Sequence, residues 1–218
     1  MKLDTTRVTE LQELYRAKKN DIVKRLRDFR KFRQKRNDEE IFRELAFCLF
    51  TPQSKAKSCW ASIQKLDEED LLLKGSAEQI RQKLHCVRFH NKKAEYLVRA
   101  RDLFLKNGEL SLKPLLNSYP DIRECREWLV KNLTGLGYKE ASHFLRNIGF
   151  GEKIAILDRH ILRNLQLLGV IPDVPASLSR TKYLGIEEKM AECAAKIAIP
   201  LSHLDLLLWY KETGVIFK

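Results

Sequence analysis

The chain has 218 residues, a formal net charge of +12 and 44% hydrophobic residues. These values describe a globular protein with a sizeable core and exclude an intrinsically disordered chain. The basic excess suits a polyphosphate partner, although solubility alone would also account for it. The sequence shows neither a signal-peptide core nor an apolar stretch near the ~18 residues that span a bilayer. We therefore expect a soluble, cytoplasmic protein without a membrane partner.

The five cysteines are odd in number and widely spaced, and no Cys-x-x-Cys pair occurs. This pattern argues against a disulfide scaffold, a zinc ribbon and a cysteine-ligated iron–sulfur cluster. We expect reduced thiols that pack as small apolar groups, and no cofactor. His85, Cys86 and His90 lie close together in the sequence, but no fourth ligand is nearby, so we do not expect zinc there.

Apolar residues recur at helical spacing almost throughout the chain. The first predicted helix is long and basic, since residues 16–36 hold eleven basic and two acidic side chains, nine of the twelve net charges. Asn37 begins the second helix, and Thr51-Pro52 ends it because proline disfavours helix in the residue before it. Pro52 can then open the third. The apolar stripe of the first helix comprises Val8, Leu11, Tyr15, Ile22, Leu26 and Phe29.

The rest of the chain continues the helical pattern. We find no alternating strand of useful length and no internal repeat, so the predicted fold class is all-α. The further predicted helices lie at about 67–74, 77–85, 91–106, 120–131, 138–148, 159–168, 179–198 and 202–212.

Two glycines, Gly135 and Gly137, separate the helix predicted at 120–131 from the next one. Glycine permits backbone angles that a side chain would forbid, and it lets a turn approach a ligand closely. The first N–H groups of the second helix then point outward, where they can bind a DNA phosphate without reading the base sequence. The pattern indicates a helix-hairpin-helix motif, with an ordinary tight turn as the alternative.

Lys139 and Asp158 are the candidate catalytic pair. Lys139 falls in the first turn of its helix, where the positive end of the helix dipole favours the neutral amine that nucleophilic attack requires. Asp158 stands in the N-cap position of the helix at 159–168, where capping hydrogen bonds keep a carboxylate ionised. Taken singly, each is typical of a surface lysine or a helix cap. Together, beside a glycine hairpin in a basic helical protein, they favour catalysis.

These motifs resemble those of the helix-hairpin-helix DNA glycosylases, in particular the type-2 8-oxoguanine DNA glycosylase/AP lyases. The hairpin, Lys139 and Asp158 match the family's glycine hairpin, catalytic lysine and catalytic aspartate. Residues 88–94 and 214–218 also resemble family segments. The absent four-cysteine cluster separates the chain from the endonuclease III branch.

The resemblance implies an all-α fold of two helical subdomains that flank a DNA-binding cleft. One subdomain would comprise residues 1–36 and 150–218, and the other residues 37–149. It implies an enzyme that acts on double-stranded DNA containing 8-oxoguanine and flips the damaged nucleotide into the cleft. A monomer fits such a self-contained cleft. Lys139 would displace the base and form a Schiff base, and β-elimination would then cut the strand. Asp158 would stabilise the positive charge developing on the sugar. No catalytic metal is required.

The resemblance also implies a base pocket. Phe89 and Trp209 would stack on the two faces of the extruded purine, and the carboxylate of the C-terminal Lys218 would accept hydrogen bonds from its edge. Core packing is the alternative for both aromatic residues, and a frayed terminus is the alternative for Lys218.

Further residues are implied at the DNA backbone and in the base stack. Gln53 matches the position where relatives insert a polar side chain into the gap left by the flipped base, with a solvent-facing helix N-terminus as the alternative. Gly135, Gly137 and Tyr138 would bind the DNA backbone. The family's hairpin can hold a monovalent cation through backbone carbonyls, here those of Lys131, Leu133 and Leu136.

Two other functions stay open from the sequence. The first is a glycosylase of the same superfamily that acts on another damaged or mismatched base. The second is a non-catalytic module that uses the hairpin and the basic helix only to bind nucleic acid. Turnover on a panel of damaged DNA substrates would separate the three.

Overall fold

The structure is a computed structural model that describes residues 2–35 and 37–216. Helices make up most of these residues, and the strands are two short segments that pair with each other. The predicted all-α fold class is thus confirmed. Within the same residues, no helix combines the length and the apolar character that crossing a bilayer demands.

Twelve α-helices and one small hairpin are present in the described part of the chain. Strands β1 (Leu105–Lys106) and β2 (Glu109–Leu110) pair antiparallel. A π-helical stretch (Arg146–Phe150) and a 3-10 turn (Gly151–Lys153) follow the ninth helix. The α-helices are α1 (Thr5–Lys35), α2 (Asp38–Phe50), α3 (Ala56–Glu68), α4 (Leu71–Lys74), α5 (Ala77–Lys83), α6 (His90–Phe104), α7 (Lys113–Asn117), α8 (Ile122–Asn132), α9 (Tyr138–Leu145), α10 (Arg159–Leu167), α11 (Arg180–Lys196) and α12 (Leu201–Thr213).

The predicted helices differ from the observed ones where the backbone leaves helical geometry. The helix predicted at 67–74 is divided, because Asp70 adopts a left-handed conformation (φ 59°) between α3 and α4. The helix predicted at 91–106 ends at Phe104, since the next two residues pair with β2. The short helix α7 was not predicted.

The helix predicted at 138–148 also ends early, at Leu145. Gly149 has a φ of +90° in the π-helical stretch that follows, so the backbone leaves helical geometry there. A Cβ at Gly149 would lie 2.6 Å from the carbonyl oxygen of Phe29 in α1, which explains why only glycine fits.

The chain divides into two compact units. The terminal unit contains the residues up to Gln34 and those from Leu145 onward, and the central unit is Lys35–Phe144. The subdomain boundaries predicted from the sequence, at 36/37 and 149/150, stay a prediction. The cleft expected between subdomains stays a prediction.

The central unit is built around α2 and α6. Asn37 and Glu40 form a capping box that begins α2, and nine of the thirteen residues of α2 are buried. Residues 44–50 are buried on every side of the helix, as in a helix that lies inside a core. α6 packs against α2 and α5, and α3 packs against α2, α4 and α5.

In the terminal unit, α12 packs against α10 and α11. α1 buries three residues of its predicted stripe, Leu11, Ile22 and Phe29. The other three stripe residues are half-buried, and most basic residues of α1 are exposed. α1 is therefore amphipathic, with its charge on the solvent side.

Candidate active site

The glycine hairpin joins α8 to α9 in five residues, 133–137. Two apolar side chains anchor it, because Leu133 and Leu136 are only 4% and 3% exposed. Leu136 N donates to the Leu133 carbonyl at 3.2 Å, and Ala141 N donates to the Gly137 carbonyl at 2.9 Å. The second bond is the first i to i+4 bond of α9, so the hairpin leads directly into the helix.

The two hairpin glycines play different parts. Gly135 has a φ of +87°, and a Cβ there would overlap the ring of Tyr96 in α6. Gly137 has no positive φ, and its Cβ would lie 3.1 Å from the Glu140 Oε2 atom. The expectation that both glycines adopt angles forbidden to side chains is right for Gly135 and wrong for Gly137.

Side chains brace the two helices of this motif. The Tyr138 hydroxyl donates to Glu127 Oε2 at 2.6 Å, and the buried Arg126 donates from Nη1 to Ser142 Oγ at 3.0 Å. The phenol of Tyr138 thus holds α9 against α8. Its backbone N–H, in the first turn of α9, is the group that suits a phosphate. DNA binding by Tyr138 stays a prediction.

Lys139 is the second residue of α9, and its side chain is 27% exposed. The amine is therefore shielded from bulk water without being enclosed. Its Nζ atom lies 3.6 Å from Oε1 of Glu140, whose side chain is 15% exposed. Glu140 was not predicted from the sequence, although an acidic residue beside a candidate nucleophile is a signal for a proton acceptor.

Asp158 caps α10, as the sequence indicated. Its Oδ1 atom accepts from Ile161 N at 2.8 Å, with the extended backbone (φ −88°, ψ 179°) of an N-cap. The half-buried carboxylate is thus fixed in direction by the helix that follows it. Its catalytic role stays a prediction. Lys139 belongs to the central unit and Asp158 to the terminal unit.

An extended and buried segment, residues 154–157, leads into Asp158. Its backbone is held by side chains instead of a neighbouring strand. Ala155 N donates to Glu187 Oε1 at 2.8 Å, and Tyr183 donates to the Ala155 carbonyl at 2.7 Å. Ile156 N donates to Asp205 Oδ1 at 3.0 Å. These bonds satisfy backbone groups that would otherwise be buried without partners.

The Asp205 carboxylate is itself paired. Arg146 Nη1 lies 2.9 Å from Asp205 Oδ2, and both side chains are buried. Burial raises the pKa of the Asp205 carboxyl, and the positive charge of Arg146 opposes that shift. Sequence reasoning missed Arg146 and Asp205, because nothing local links residues that are 59 positions apart.

Gln53 and Phe89 are both exposed, and both adopt left-handed backbone conformations, with φ of 55° and 60°. Phe89 is 51% exposed, so the core-packing alternative is wrong for this residue. Gln53 lies in a turn before α3 begins at Ala56, so the helix N-terminus alternative is wrong as well. The DNA contacts of both residues stay predictions.

Trp209 is half-buried on α12, with the ring of His160 edge-on at 5.5 Å. Its Nε1 atom is buried and has no hydrogen-bond partner among the described residues. Phe89 lies in the central unit and Trp209 in the terminal unit, so their pairing around one purine stays a prediction. Lys218, the third predicted pocket residue, lies outside the described residues.

The carbonyls predicted to hold a monovalent cation belong to the end of α8 and to the hairpin. The Leu133 carbonyl accepts one hydrogen bond and keeps a second lone pair. Backbone carbonyls are oxygen ligands that suit hard cations. Cation binding at Lys131, Leu133 and Leu136 stays a prediction.

Comparisons with known proteins agree on one family. The family model for 8-oxoguanine DNA glycosylase matches residues 22–199. The 8-oxoguanine DNA glycosylase/AP lyase of Fusobacterium nucleatum is 48% identical over 96% of both chains, and that of Korarchaeum cryptofilum is 41% identical over 97% of both. The crystal structure of the Methanocaldococcus jannaschii 8-oxoguanine glycosylase/lyase, in complex with a 15mer DNA containing 8-oxoguanine, matches with a TM-score of 0.87 and 36% identity, over 97% of this chain and 99% of that one. The chain belongs to the 8-oxoguanine DNA glycosylase family, which confirms the resemblance found in its sequence.

Proposed function

We propose that this chain excises 8-oxoguanine from DNA and cleaves the abasic site that results, as the names of its relatives state for those proteins. The observation that carries the proposal is the position of Lys139. Its partly shielded amine lies in the first turn of the helix that a glycine hairpin feeds, where the hairpin can bind the DNA backbone beside it.

The chemistry begins when the neutral amine of Lys139 attacks C1′ of the flipped nucleotide. The bond from C1′ to the base breaks, the base leaves with the electron pair and takes up a proton, and opening of the sugar gives a Schiff base. The carboxylate of Asp158 stabilises the positive charge that develops on the sugar. Loss of a proton from C2′ then breaks the bond from C3′ to oxygen, which cuts the strand.

Glu140 is a candidate for moving these protons. Its carboxylate lies beside the Lys139 amine and is mostly shielded from water. A carboxylate in that position can accept a proton from the attacking amine. This role is additional to the one proposed for Asp158, which acts through its charge.

Base recognition is assigned to Phe89, Trp209 and Lys218. Stacking contributes ~1–3 kcal/mol per base and holds any purine. Selection of the oxidised base needs an acceptor for the N–H that oxidation creates at N7, because normal guanine would leave that acceptor unpaired at a cost of ~1–3 kcal/mol. Gln53 would fill the space left by the flipped nucleotide.

The proposal also includes a monomeric state and a cytoplasmic location.

Borohydride trapping tests the nucleophile directly. Duplex DNA containing 8-oxoguanine, incubated with the protein and sodium borohydride, should give a covalent adduct because borohydride reduces the Schiff base to a stable amine. Lys139→Gln should abolish the adduct and retain DNA binding, whereas Lys106→Gln, an exposed lysine on β1, should leave it intact.

An undiminished adduct in Lys139→Gln would refute the assignment of the nucleophile. A panel of duplexes with oxidised pyrimidines or mismatched adenine tests the substrate. Preference for either over 8-oxoguanine would replace the proposed substrate and keep the enzyme class.

A further inference from the structure

Lys93, on α6, is a buried lysine for which the proposed chemistry has no role. The residue is 4% exposed, and its ammonium makes three hydrogen bonds. Nζ donates to the carbonyls of Phe50 and Pro52 at 2.7 Å each and to Ser54 Oγ at 3.2 Å. These three bonds use all the donors of the ammonium. All three acceptors lie at the end of α2 or in the turn after it, where the helix dipole also favours a cation.

Ser54 connects this turn to a second loop. Its Oγ atom also accepts from the backbone N of Arg88 at 2.9 Å, in the loop that precedes α6. Lys93 and Ser54 together form what we call the loop anchor. It ties the turn of residues 51–54 to the residue just before Phe89.

An exposed residue with a left-handed backbone lies within the first tied segment, and another directly follows the second. These are Gln53, with φ 55°, and Phe89, with φ 60°. Such a conformation is uncommon for residues other than glycine and persists only when surrounding contacts hold it. Neither residue packs in the core, so hydrogen bonds of the neighbouring backbone hold these conformations, among them the bond from Ser54 N to the Thr51 carbonyl at 3.0 Å and the bond from Arg88 N to Ser54 Oγ at 2.9 Å.

We propose that the loop anchor is a positioning device: Lys93 and Ser54 hold Gln53 and Phe89 in the geometry that extrudes the damaged nucleotide and stacks on its base. This inference rests on the proposed function. It makes Lys93 and Ser54 positioning residues, since they act through Gln53 and Phe89. The substrate class to which it applies is duplex DNA that still carries the base.

The anchor depends on the charge of Lys93. Burial lowers the pKa of Lys93 from 10.5 to about 8. The thiol of Cys59 and the carboxylate of Glu140 oppose that shift, and Lys139 adds to it. The ammonium is therefore present below about pH 8 and is lost as the pH rises through that value. A neutral amine has only two N–H donors, so one of the three acceptors then faces a lone pair.

Two substrates distinguish a defect in the loop anchor from a defect in the nucleophile, Lys139. Excision of 8-oxoguanine requires base extrusion, whereas borohydride trapping on a preformed abasic site uses Lys139 without a base to extrude or stack. Lys93→Met should reduce single-turnover excision by about 10- to 100-fold, as misplacement of a substrate-positioning group does. Trapping on abasic DNA should change less than twofold. Lys106→Met is the matched control and should leave both reactions unchanged.

The pH profile supplies a second readout. In the wild-type chain, the ratio of the excision rate to the abasic-site trapping rate should fall as the pH rises through about 8. Taking the ratio cancels the pH effects that the two reactions share. In Lys93→Met the ratio should be low at all pH values and independent of pH.

The outcomes are distinct. Equal loss of both reactions in a folded Lys93→Met protein, or a wild-type ratio that does not change with pH, overturns the inference. Absence of trapping on abasic DNA in the wild-type chain would contradict the proposed function instead. If Lys93→Met does not fold, Ser54→Ala decides: excision should fall severalfold with trapping retained, and an unchanged excision rate overturns the inference.

Discussion

The two segments that carry the candidate catalytic residues are built differently. The hairpin before Lys139 is held by the buried side chains of its own two leucines and by side-chain hydrogen bonds between α8 and α9. A glycine allows the conformation of its turn. The segment before Asp158 is buried, extended and held by side chains that lie 26 to 49 positions away along the chain. Lys139 is therefore positioned by local structure, whereas the position of Asp158 depends on tertiary structure. Substitutions that loosen the segment before Asp158 should therefore cost more stability than substitutions that loosen the hairpin.

The largest effect on stability should come from Asp205→Asn in the terminal unit. The change leaves the buried charge of Arg146 without its carboxylate partner, and breaking a buried pair in this way costs roughly 3–5 kcal/mol in the free energy of unfolding. Urea denaturation measures it. Tyr138→Phe, which removes one brace of the hairpin, should cost only about 1 kcal/mol. Equal costs for the two variants would contradict the difference between the segments.

The next prediction concerns a variant that should lose catalytic activity and keep its stability. Asp158→Asn keeps a side-chain oxygen for the cap of α10 and removes the negative charge. Excision of 8-oxoguanine should fall by about 10²–10³-fold, the usual loss when a group that stabilises the transition state is removed. The melting temperature should barely move, because asparagine caps a helix as well as aspartate does. Asp158→Ala is the comparison variant and should lose about 1 kcal/mol of stability in addition. An Asp158→Asn protein with wild-type excision would remove the carboxylate from the mechanism.

The smallest of the three effects concerns the hairpin. Gly135→Ala forces a side chain into a left-handed conformation, at roughly 1–2 kcal/mol, and pushes against the Tyr96 ring. DNA affinity should fall with the displaced hairpin, as a binding titration at fixed salt would measure. Gly137→Ala is the matched control, with no positive φ and a flexible carboxylate as its near neighbour. Equal losses in the two variants would mean that the hairpin needs glycine for a reason other than backbone conformation.

The sequence was most informative where structure is local. The start of α2 at Asn37, the hairpin after α8 and the cap at Asp158 follow from residues within a few positions of one another, so periodicity and end signals suffice to predict them. The same signals assigned the fold class. Helix ends were predicted wrongly where a single residue with a left-handed backbone conformation, such as Asp70, interrupts an apolar pattern.

Tertiary hydrogen bonds account for what was missed. Tyr183, Glu187 and Asp205 look like ordinary helix residues in the sequence, and only the fold brings their side chains to one extended segment. Lys93 lies in a basic stretch, and nothing in the sequence distinguishes a buried lysine from a lysine at the surface. Burial and partner identity are properties of the folded chain that spacing alone does not carry.

Helix α6 links three of the predicted DNA-contacting elements of the central unit. Phe89 stands at its N-cap, Lys93 reaches back to the turn of Gln53, and Tyr96 lies against Gly135. Tyr96 follows Phe89 by seven positions, which is about 10 Å along the axis at 1.5 Å per residue. The helix therefore fixes the spacing between Phe89 and the hairpin glycine Gly135, and inserting one residue into it would rotate its two ends by about 100° relative to each other.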